Sequence, residues 1–212
     1  MEGQLKNGAI LTSESGNKYM VVNLLGAGGQ GEVYDVECDG KHYALKWYFK
    51  GSATARQKKL LEEIIAKGAP DSSFLWPMEL IVSSQGNLFG YIMPLRPKNY
   101  KSIVDLMKNR VNPSFYVICR TAFNLTKGYR NLHIAGAKYQ DISFGNLFFN
   151  PDNGDVLICD NDNVSYGNSK PGGVLGTPGF MAPEIVRGEA RPSRDTDRYS
   201  LAVLLFYLFM VN

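Results

Sequence analysis

Residues 19–49 carry the pattern that most limits how this chain can fold: short stretches of alternating apolar and polar residues, interrupted by glycine. Apolar residues at every second position predict strands that bury one face. The last two stretches meet at Asp39-Gly40, a pair typical of the tight turn in an antiparallel hairpin. The pattern therefore predicts antiparallel strands at 19–26, 31–38 and 42–49.

The chain up to residue 94 is expected to add one helix and two strands to this sheet. The helix is predicted from about Thr54 to Lys67, where Gly68 and Pro70 end it. The strands are predicted in MELIVSS and LFGYIMP, on either side of a turn at 85–87. Residues 1–94 are thus predicted to form a five-stranded antiparallel sheet with one helix.

Beyond Ser102 the pattern becomes helical. Apolar residues recur with a helical period in SIVDLMKNR and in FYVICRTAFNLTKGYRNLH. Short strands are predicted in NLFFN and DVLICD, followed by a loop rich in glycine, proline and serine at 166–179. We therefore expect an α+β fold with two lobes, a strand-rich one at 1–94 and a mainly helical one at 95–212.

Composition excludes several classes of protein. A chain of 212 residues with 44% hydrophobic residues can bury a core. Its 23 basic and 20 acidic residues are too balanced to indicate a nucleic-acid or membrane surface, so no nucleic-acid partner is expected. The cysteines, Cys38, Cys119 and Cys159, form no C-x-x-C pair, which favours neither disulfides nor zinc and fits a cytoplasmic location.

The longest apolar run, Leu201 to Val211, is shorter than the about 20 residues that a membrane-spanning helix needs, so it predicts a core helix rather than a membrane span. The N-terminus does not resemble a signal peptide. Because the sequence stops at the core helix, we expect an incomplete helical lobe. Its exposed apolar surface would then favour self-association.

A glycine-rich turn is expected between the first two strands. Residues 26–33 have the spacing G-x-G-x-x-G-x-V, in which glycine lets the backbone approach phosphates and donate N–H groups to them. The same spacing also fits a flexible hairpin. A dinucleotide-binding turn is disfavoured because that motif opens a helix, whereas here a strand follows. The candidate phosphate-binding residues are Gly26, Ala27, Gly28, Gly29, Gln30 and Gly31.

Lys46 ends an apolar strand, a position where a charged residue needs an explanation. It is either a lysine at a sheet edge that extends its charge into water, or, since Tyr43-Ala44-Leu45-Lys46 resembles the V-A-I-K motif, the lysine that in this motif neutralises phosphates. In the second case a carboxylate is expected on the next helix. Glu62 is preferred over Glu63 because apolar residues follow it one turn on, although a solvated Glu-Lys face also explains either residue.

The stretch 139–148 and the strand after it contain the strongest candidates for chemistry. Asp141 suits a base that receives a hydroxyl proton, and Asn146 suits an amide that holds a metal ion. The strand VLIC then leads to Asp160, which is placed to bind Mg²⁺. Any one of these residues could instead cap a turn, so the case rests on finding them together.

Two later segments complete a resemblance to a known family. The segment 176–184 resembles the G-T-x-x-[YF]-x-A-P-E end of a protein kinase activation loop, and 197–201 resembles the D-x-W-S-L start of the central helix, whose Asp anchors the catalytic loop. Together with the glycine turn and the loop residues, these motifs occur in the order found in protein kinases. Residues 19–212 resemble a divergent, bacterial-type, eukaryotic-like Ser/Thr kinase domain that stops after its central helix.

The resemblance implies ATP as the phosphate donor and Mg²⁺, with Mn²⁺ as an alternative, as the metal. It assigns Lys46 to the α and β phosphates and Asp141 to the substrate hydroxyl, and it makes Asn146 and Asp160 metal ligands. Met93 would be the gatekeeper, with Pro94 and Leu95 in the hinge. Further residues would enclose the adenine ring: Val33 and Ala44 from above and Phe148 from below.

The chain departs from the family pattern at several positions. Gln140 replaces the arginine that usually receives an activation-loop phosphate, so control by loop phosphorylation is not expected. Ser143 replaces the lysine that contacts the γ-phosphate. Asn161 and Asp162 replace the Phe and Gly of D-F-G. Asp162 is expected to be a solvated turn carboxylate, and the alternative is a carboxylate that assists in binding the metal.

The sequence favours a protein kinase that phosphorylates Ser or Thr of a protein substrate. Thr177 supports that preference, since in the resembling enzymes it contacts the catalytic Asp. One alternative is a pseudokinase that binds nucleotide without turnover. A small-molecule phosphotransferase is least favoured, since such enzymes generally lack both the A-P-E segment and the glycine turn.

Overall fold

A computed structural model describes residues 3–83, 88–167 and 175–210. The chain divides into two compact units: Met1–Ala69 with Leu75–Arg96, and Pro70–Phe74 with Pro97–Asn212. The predicted turn at 85–87 and part of the predicted loop at 166–179 lie outside the described residues.

The first unit contains an antiparallel sheet of six strands with the order β1-β2-β3-β4-β6-β5. Its elements in chain order are β1 (Ile10–Thr12), β2 (Lys18–Ala27), β3 (Gly31–Cys38), β4 (Lys41–Tyr48), helix α1 (Ala55–Lys67), β5 (Glu79–Val82) and β6 (Phe89–Pro94). The prediction of five strands was wrong by one strand. β1 has only three residues, too few to show an alternating pattern, and pairs with β2.

The hairpin predicted at Asp39-Gly40 is confirmed. Both residues have positive φ, 51° and 73°, and they join β3 to β4 directly. Tight hairpin turns need this backbone conformation, which Gly adopts freely and Asp tolerates better than most residues. The turn fixes the register of β3 against β4, and therefore which of their side chains share a face.

One face of the sheet forms the core of the first unit, and helix α1 has defined ends. The core residues are Tyr19, Val21, Tyr34, Val36, Leu45, Trp47, Ile81 and Ile92. The side chain of Thr54 accepts a hydrogen bond from Gln57 N at the start of α1, and Gly68 ends the helix with φ of 73°. The predicted helix is thus observed at nearly the same bounds.

The second unit is mainly helical, with short strands that shape its loops. Its helices are α2 (Ile103–Met107), α3 (Phe115–Ile134), α4 (Pro183–Val186) and α5 (Arg194–Met210). Its strands are β7 (Lys101–Ser102), β8 (Ala137–Lys138), β9 (Leu147–Phe149), β10 (Val156–Ile158) and β11 (Ser165–Tyr166). Two 3₁₀ turns, Phe144–Asn146 and Asn161–Asn163, follow β8 and β10.

The long helices α3 and α5 provide the core of the second unit. Fully buried leucines lie on both, including Leu125 and Leu132 on α3 and Leu204 and Leu208 on α5. Within the described parts of the chain, no helix is long and apolar enough to cross a bilayer. Asp141, Asn146 and Asp160, which the sequence singled out for chemistry, lie in the segments that connect the short strands β8 to β11.

Candidate active site

The glycine turn between β2 and β3 is closed by a backbone hydrogen bond from Gly28 N to Gly31 O at 2.9 Å. Gly31 is required by packing, since a Cβ there would lie 2.2 Å from Trp47 O. At Gly26, Gly28 and Gly29 an added Cβ would meet no atom within 4 Å. The turn therefore has open space along its backbone, as binding of a phosphate requires.

The sheet register brings several predicted ligand-binding residues to one face. Val33 of β3 lies opposite Lys46 of β4, and Ala44 of β4 lies opposite Met93 of β6. Directly opposed residues share a face, as do residues two apart along a strand. Leu45, between Ala44 and Lys46, lies on the other face, in the core. The four residues thus lie on the sheet face opposite that core.

Lys46 is a buried cation in a central strand. Strand β4 pairs with neighbours on both sides, and only 5% of Lys46 is exposed, so the interpretation as an edge lysine does not apply. Its Nζ donates to Gln30 Oε1 at 3.4 Å and lies 5.7 Å from the centre of the Tyr48 ring. A buried ammonium requires polar or aromatic partners, and Gln30 of the glycine turn provides one.

Glu62 makes a surface ion pair. Its Oε1 lies 3.5 Å from Lys58 Nζ, and 49% of its side chain is exposed. Lys58 also lies 3.0 Å from Glu14 Oε1. These contacts match the solvated Glu-Lys alternative from the sequence, and the pairing of Glu62 with Lys46 stays a prediction.

Asp141 is held by two side chains from different parts of the second unit. Thr177 Oγ1 donates to its Oδ1 at 2.6 Å. Asn146 Nδ2 donates to its Oδ2 at 3.3 Å and to its backbone oxygen at 2.8 Å. The carboxylate is therefore oriented at both oxygens, an arrangement that suits a base whose direction must be fixed.

Asn146 is linked to the strand that leads to Asp160. Cys159 N donates to Asn146 O at 3.0 Å, which fixes the end of β10 beside the 3₁₀ turn before β9. Asp160 follows with φ of 53° and ψ of 43°, a left-handed conformation that costs a residue other than glycine on the order of 1–3 kcal/mol. Asn146 bonds Asp141 through Nδ2, so its Oδ1 is the atom suited to a metal ion.

The donor set fits a magnesium ion that is shared with phosphates. Mg²⁺ is usually held by one or two protein oxygens, while phosphates and waters complete its octahedron. Asn146 and Asp160 would supply that number. Among residues 3–83, 88–167 and 175–210 there is no group of three or more His, Cys, Asp or Glu side chains able to hold a metal alone. Two protein oxygens would leave the other coordination positions of the ion to phosphates and waters.

Asp197 at the start of α5 anchors the loop that carries Asp141, as the resemblance implied. Its Oδ2 accepts from Tyr139 N at 2.7 Å, and its Oδ1 accepts from Gln140 N at 2.9 Å. His133 Nε2 lies 3.0 Å from the same Oδ2. Sequence reasoning missed His133, because only the fold brings the end of α3 to the start of α5.

Tyr139 fills the position where the family usually has histidine. Its ring packs edge-on against Tyr129, with centroids 5.4 Å apart, and its hydroxyl donates to Cys159 O. Burial raises the pKa of the Tyr139 phenol well above its usual range, so the hydroxyl stays a donor. The bond joins the loop that carries Asp141 to the residue before Asp160.

The expectation that Asp162 is a solvated turn carboxylate was wrong. Asp162 and Asn161 both have an exposed fraction of 0%, because the 3₁₀ turn after Asp160 directs their side chains inward. Asn161 Nδ2 donates to Ile158 O at 3.0 Å. A hydrogen-bonded amide thus stands where the family has a buried phenylalanine.

Comparison with known proteins agrees with this geometry. The model of the protein kinase domain family matches residues 19–212. A probable serine/threonine-protein kinase of Zea mays, CCRP1, is 29% identical over 201 residues, covering 91% of this chain and 31% of the relative. Beta-adrenergic receptor kinase 1 of Mesocricetus auratus is 26% identical over 212 residues, covering 91% of this chain and 28% of the relative.

Among solved structures, the Mycobacterium tuberculosis PknI kinase domain superposes with a TM-score of 0.69 at 20% identity. The match covers 98% of this chain and 78% of that chain, and it supports the fold alone. The family match over most of the sequence decides the assignment: the chain belongs to the protein kinase family. It spans about a third or less of the curated relatives described above.

Proposed function

We propose that this chain is a protein kinase domain that transfers the γ-phosphate of ATP to Ser or Thr of a protein substrate. The observation that carries the proposal is the orientation of Asp141, whose carboxylate is fixed by Thr177 at one oxygen and Asn146 at the other. Phosphoryl transfer depends on positioning and on charge neutralisation, and a fixed carboxylate supplies the positioning of the attacking hydroxyl.

Asp141 would accept the proton of the substrate hydroxyl as the oxygen attacks phosphorus. The glycine turn would donate N–H groups to the phosphates, and Lys46 would neutralise their charge. Val33, Ala44, Met93, Leu95 and Phe148 would bind the adenine ring and hold the nucleotide in place. Asn146 and Asp160 would hold Mg²⁺, or Mn²⁺ in its place, which would spread the negative charge that develops on the phosphates.

Thr177 and the relatives both favour Ser or Thr over Tyr as the acceptor. Thr177 bonds the proposed base directly. The maize relative carries the name of a probable serine/threonine-protein kinase. We also propose a cytoplasmic location, which suits three cysteines, Cys38, Cys119 and Cys159, that form no C-x-x-C pair in the sequence.

Phosphoamino-acid analysis tests the acceptor. The chain is incubated with Mg²⁺, labelled ATP and a protein mixture rich in all three hydroxyl amino acids, and the labelled residues are identified. Label on phosphoserine and phosphothreonine supports the proposal. Label confined to phosphotyrosine, or to a small molecule in the reaction, contradicts it.

The second candidate function is a pseudokinase that binds nucleotide without turnover. One observation favours it: Ser143, which is 8% exposed, supplies no cation where the family has a lysine beside the γ-phosphate. Thermal stability measured with and without Mg-ATP, next to a transfer assay, separates the two functions. At a ligand concentration a hundredfold above Kd, binding should stabilise the fold by about 2.7 kcal/mol. Stabilisation without transfer would favour the pseudokinase.

A further inference from the structure

Gln140 is buried at the centre of the catalytic loop, immediately before Asp141. Only 5% of it is exposed, and its backbone has φ of 76°, in the left-handed region. Its N–H donates to Asp197 Oδ1 at 2.9 Å. A residue other than glycine keeps such a conformation only where its surroundings determine it, so the placement of this side chain is set by the fold.

The side chain of Gln140 bonds the segment that follows Asp160. Nε2 donates to Asn163 O at 2.7 Å and to Ser165 Oγ at 2.8 Å. Both partners are buried, with 4% and 1% exposed. Ser165 then begins strand β11, which pairs with β8 just before the catalytic loop. One neutral amide therefore fastens the start of this segment to the loop.

The amide has only one productive orientation. Its two N–H donors are used by a carbonyl and a hydroxyl, while Oε1 has no hydrogen-bond partner among the described residues. With nitrogen and oxygen exchanged, two carbonyl oxygens would face each other at the Asn163 contact. The site therefore requires a donor at this position, and a carboxylate or a hydrocarbon side chain cannot supply it.

Gly176 and Thr177 lie beside the same part of the loop. A Cβ on Gly176 would lie 3.2 Å from Gln140 O, and the next residue, Thr177, bonds Asp141. The neighbouring residues Gln140 and Asp141 thus contact two described segments, one at Asn163 and Ser165 and the other at Gly176 and Thr177. The direction of the Asp141 carboxylate is therefore linked to the placement of these two segments.

We infer that Gln140 is a positioning residue, whose buried amide ties Asn163 and Ser165 to the loop that carries Asp141 and so keeps Asp141 aligned. The inference rests on the proposed kinase function. It extends that function by explaining how a loop that lacks the family's arginine holds the segment after Asp160 through a neutral side chain.

Gln140→Leu removes both donors at nearly constant volume. Loss of alignment should lower kcat roughly 10- to 100-fold, because small displacements of reacting groups cost up to about that factor. KM for ATP should change by less than about threefold, since nucleotide binding does not use this amide. Ser165→Ala, which removes one of the two acceptors, should give a smaller fall in kcat.

Asn124→Leu is the matched control. Asn124 Nδ2 donates to Gly154 O at 2.9 Å in the same unit, so this variant also replaces an amide-to-carbonyl bond, yet it touches neither the loop nor the segment. Its kcat should stay within about twofold of the parent. Equal losses of kcat in Asn124→Leu and Gln140→Leu would overturn the inference, as would an unchanged kcat in Gln140→Leu.

Hydrogen exchange provides a readout independent of activity. In Gln140→Leu the backbone amides of residues 163–167 should exchange at least about tenfold faster, while those of α3 keep the parent rate. If the parent chain transfers no phosphate, the kinase proposal fails. Hydrogen exchange is then the only test of whether Gln140 positions residues 163–167. Unchanged exchange at 163–167 then overturns the inference, and faster exchange there supports it.

Discussion

Thr177 Oγ1 donates a hydrogen bond of 2.6 Å to Asp141 Oδ1. The two residues are 36 positions apart in sequence, and the bond joins the loop that carries the proposed base to the segment before α4. Hydrogen bonds to charged acceptors are the stronger ones, so this contact should strongly influence the direction of the carboxylate.

Thr177→Val tests that contact directly. Valine keeps the shape of threonine but removes the donor, so kcat should fall roughly 10- to 100-fold while KM for ATP stays nearly constant. Thr177→Ser keeps the hydroxyl and should retain most of the activity. Steady-state kinetics of both variants check the prediction. A serine variant as impaired as the valine variant would contradict a role for the hydroxyl.

Gly31 and Gly28 are expected to respond differently to the same added methyl group. A Cβ at Gly31 would lie 2.2 Å from Trp47 O, so Gly31→Ala should destabilise the fold by about 1–3 kcal/mol. Gly28→Ala has open space and should leave stability nearly unchanged, but its methyl group should weaken ATP binding at the turn. Denaturant unfolding and ATP titration measure the two effects. Equal stability of both variants would contradict the packing argument.

Asp71 is expected to make stability depend on pH in the acid range. Burial alone would raise the pKa of its carboxyl group, but hydrogen bonds from Ser73 and Asn131 outweigh burial and hold that pKa below its usual value. A carboxyl group with a lowered pKa in the folded state stabilises the fold above its unfolded pKa of about 3.9, and this stabilisation is lost as pH falls through the folded value.

Asp71→Asn should therefore lower Tm most near neutral pH, and the difference from the parent should shrink below about pH 4. Asp152→Asn, at an exposed position in the same unit, is the control and should change Tm little. Calorimetry between pH 3 and pH 7 measures both. A difference between Asp71→Asn and the parent that stays constant over this range would contradict the role given to the charged form.

Exposed apolar residues on α5 are expected to cause self-association. Phe206 and Met210, one turn apart on the same face, have exposed fractions of 61% and 64%. Contiguous apolar surface of this kind favours association in water. Phe206→Ser combined with Met210→Ser should shift sedimentation toward the monomer, whereas Arg187→Ser, at an exposed polar position, should not. A parent chain that stays monomeric at high concentration would contradict this expectation.

Local sequence patterns predicted much of the fold because the turns and helix ends concerned are determined by interactions between residues close together in sequence. Asp39-Gly40 specifies its own turn, since few residue pairs adopt positive φ twice in succession. Thr54 and Gly68 likewise mark the ends of α1 by capping contacts within one turn. Strand β1 was missed because three residues carry too little pattern.

The features that sequence reasoning missed depend on contacts between distant residues. From the sequence, Gln140 was recognised only as a replacement of the family's arginine. Its hydrogen bonds to Asn163 and Ser165 became visible only in the structure. Asp162 was expected to be solvated because a carboxylate in a turn usually is, yet its side chain is fully buried. Burial of a polar side chain depends on what packs over it, which no local pattern states.

The most direct test of the account is single-turnover transfer of labelled γ-phosphate to a protein substrate. The parent chain should transfer label in Mg²⁺ but not in EDTA. Asp141→Asn should lower the rate roughly 10²- to 10⁴-fold, the usual contribution of a general base, while still binding ATP. Asp155→Asn, at an exposed position in the turn before β10, should match the parent. Transfer by Asp141→Asn at the parent rate would contradict the account, as would an absence of transfer by a parent chain that binds Mg-ATP.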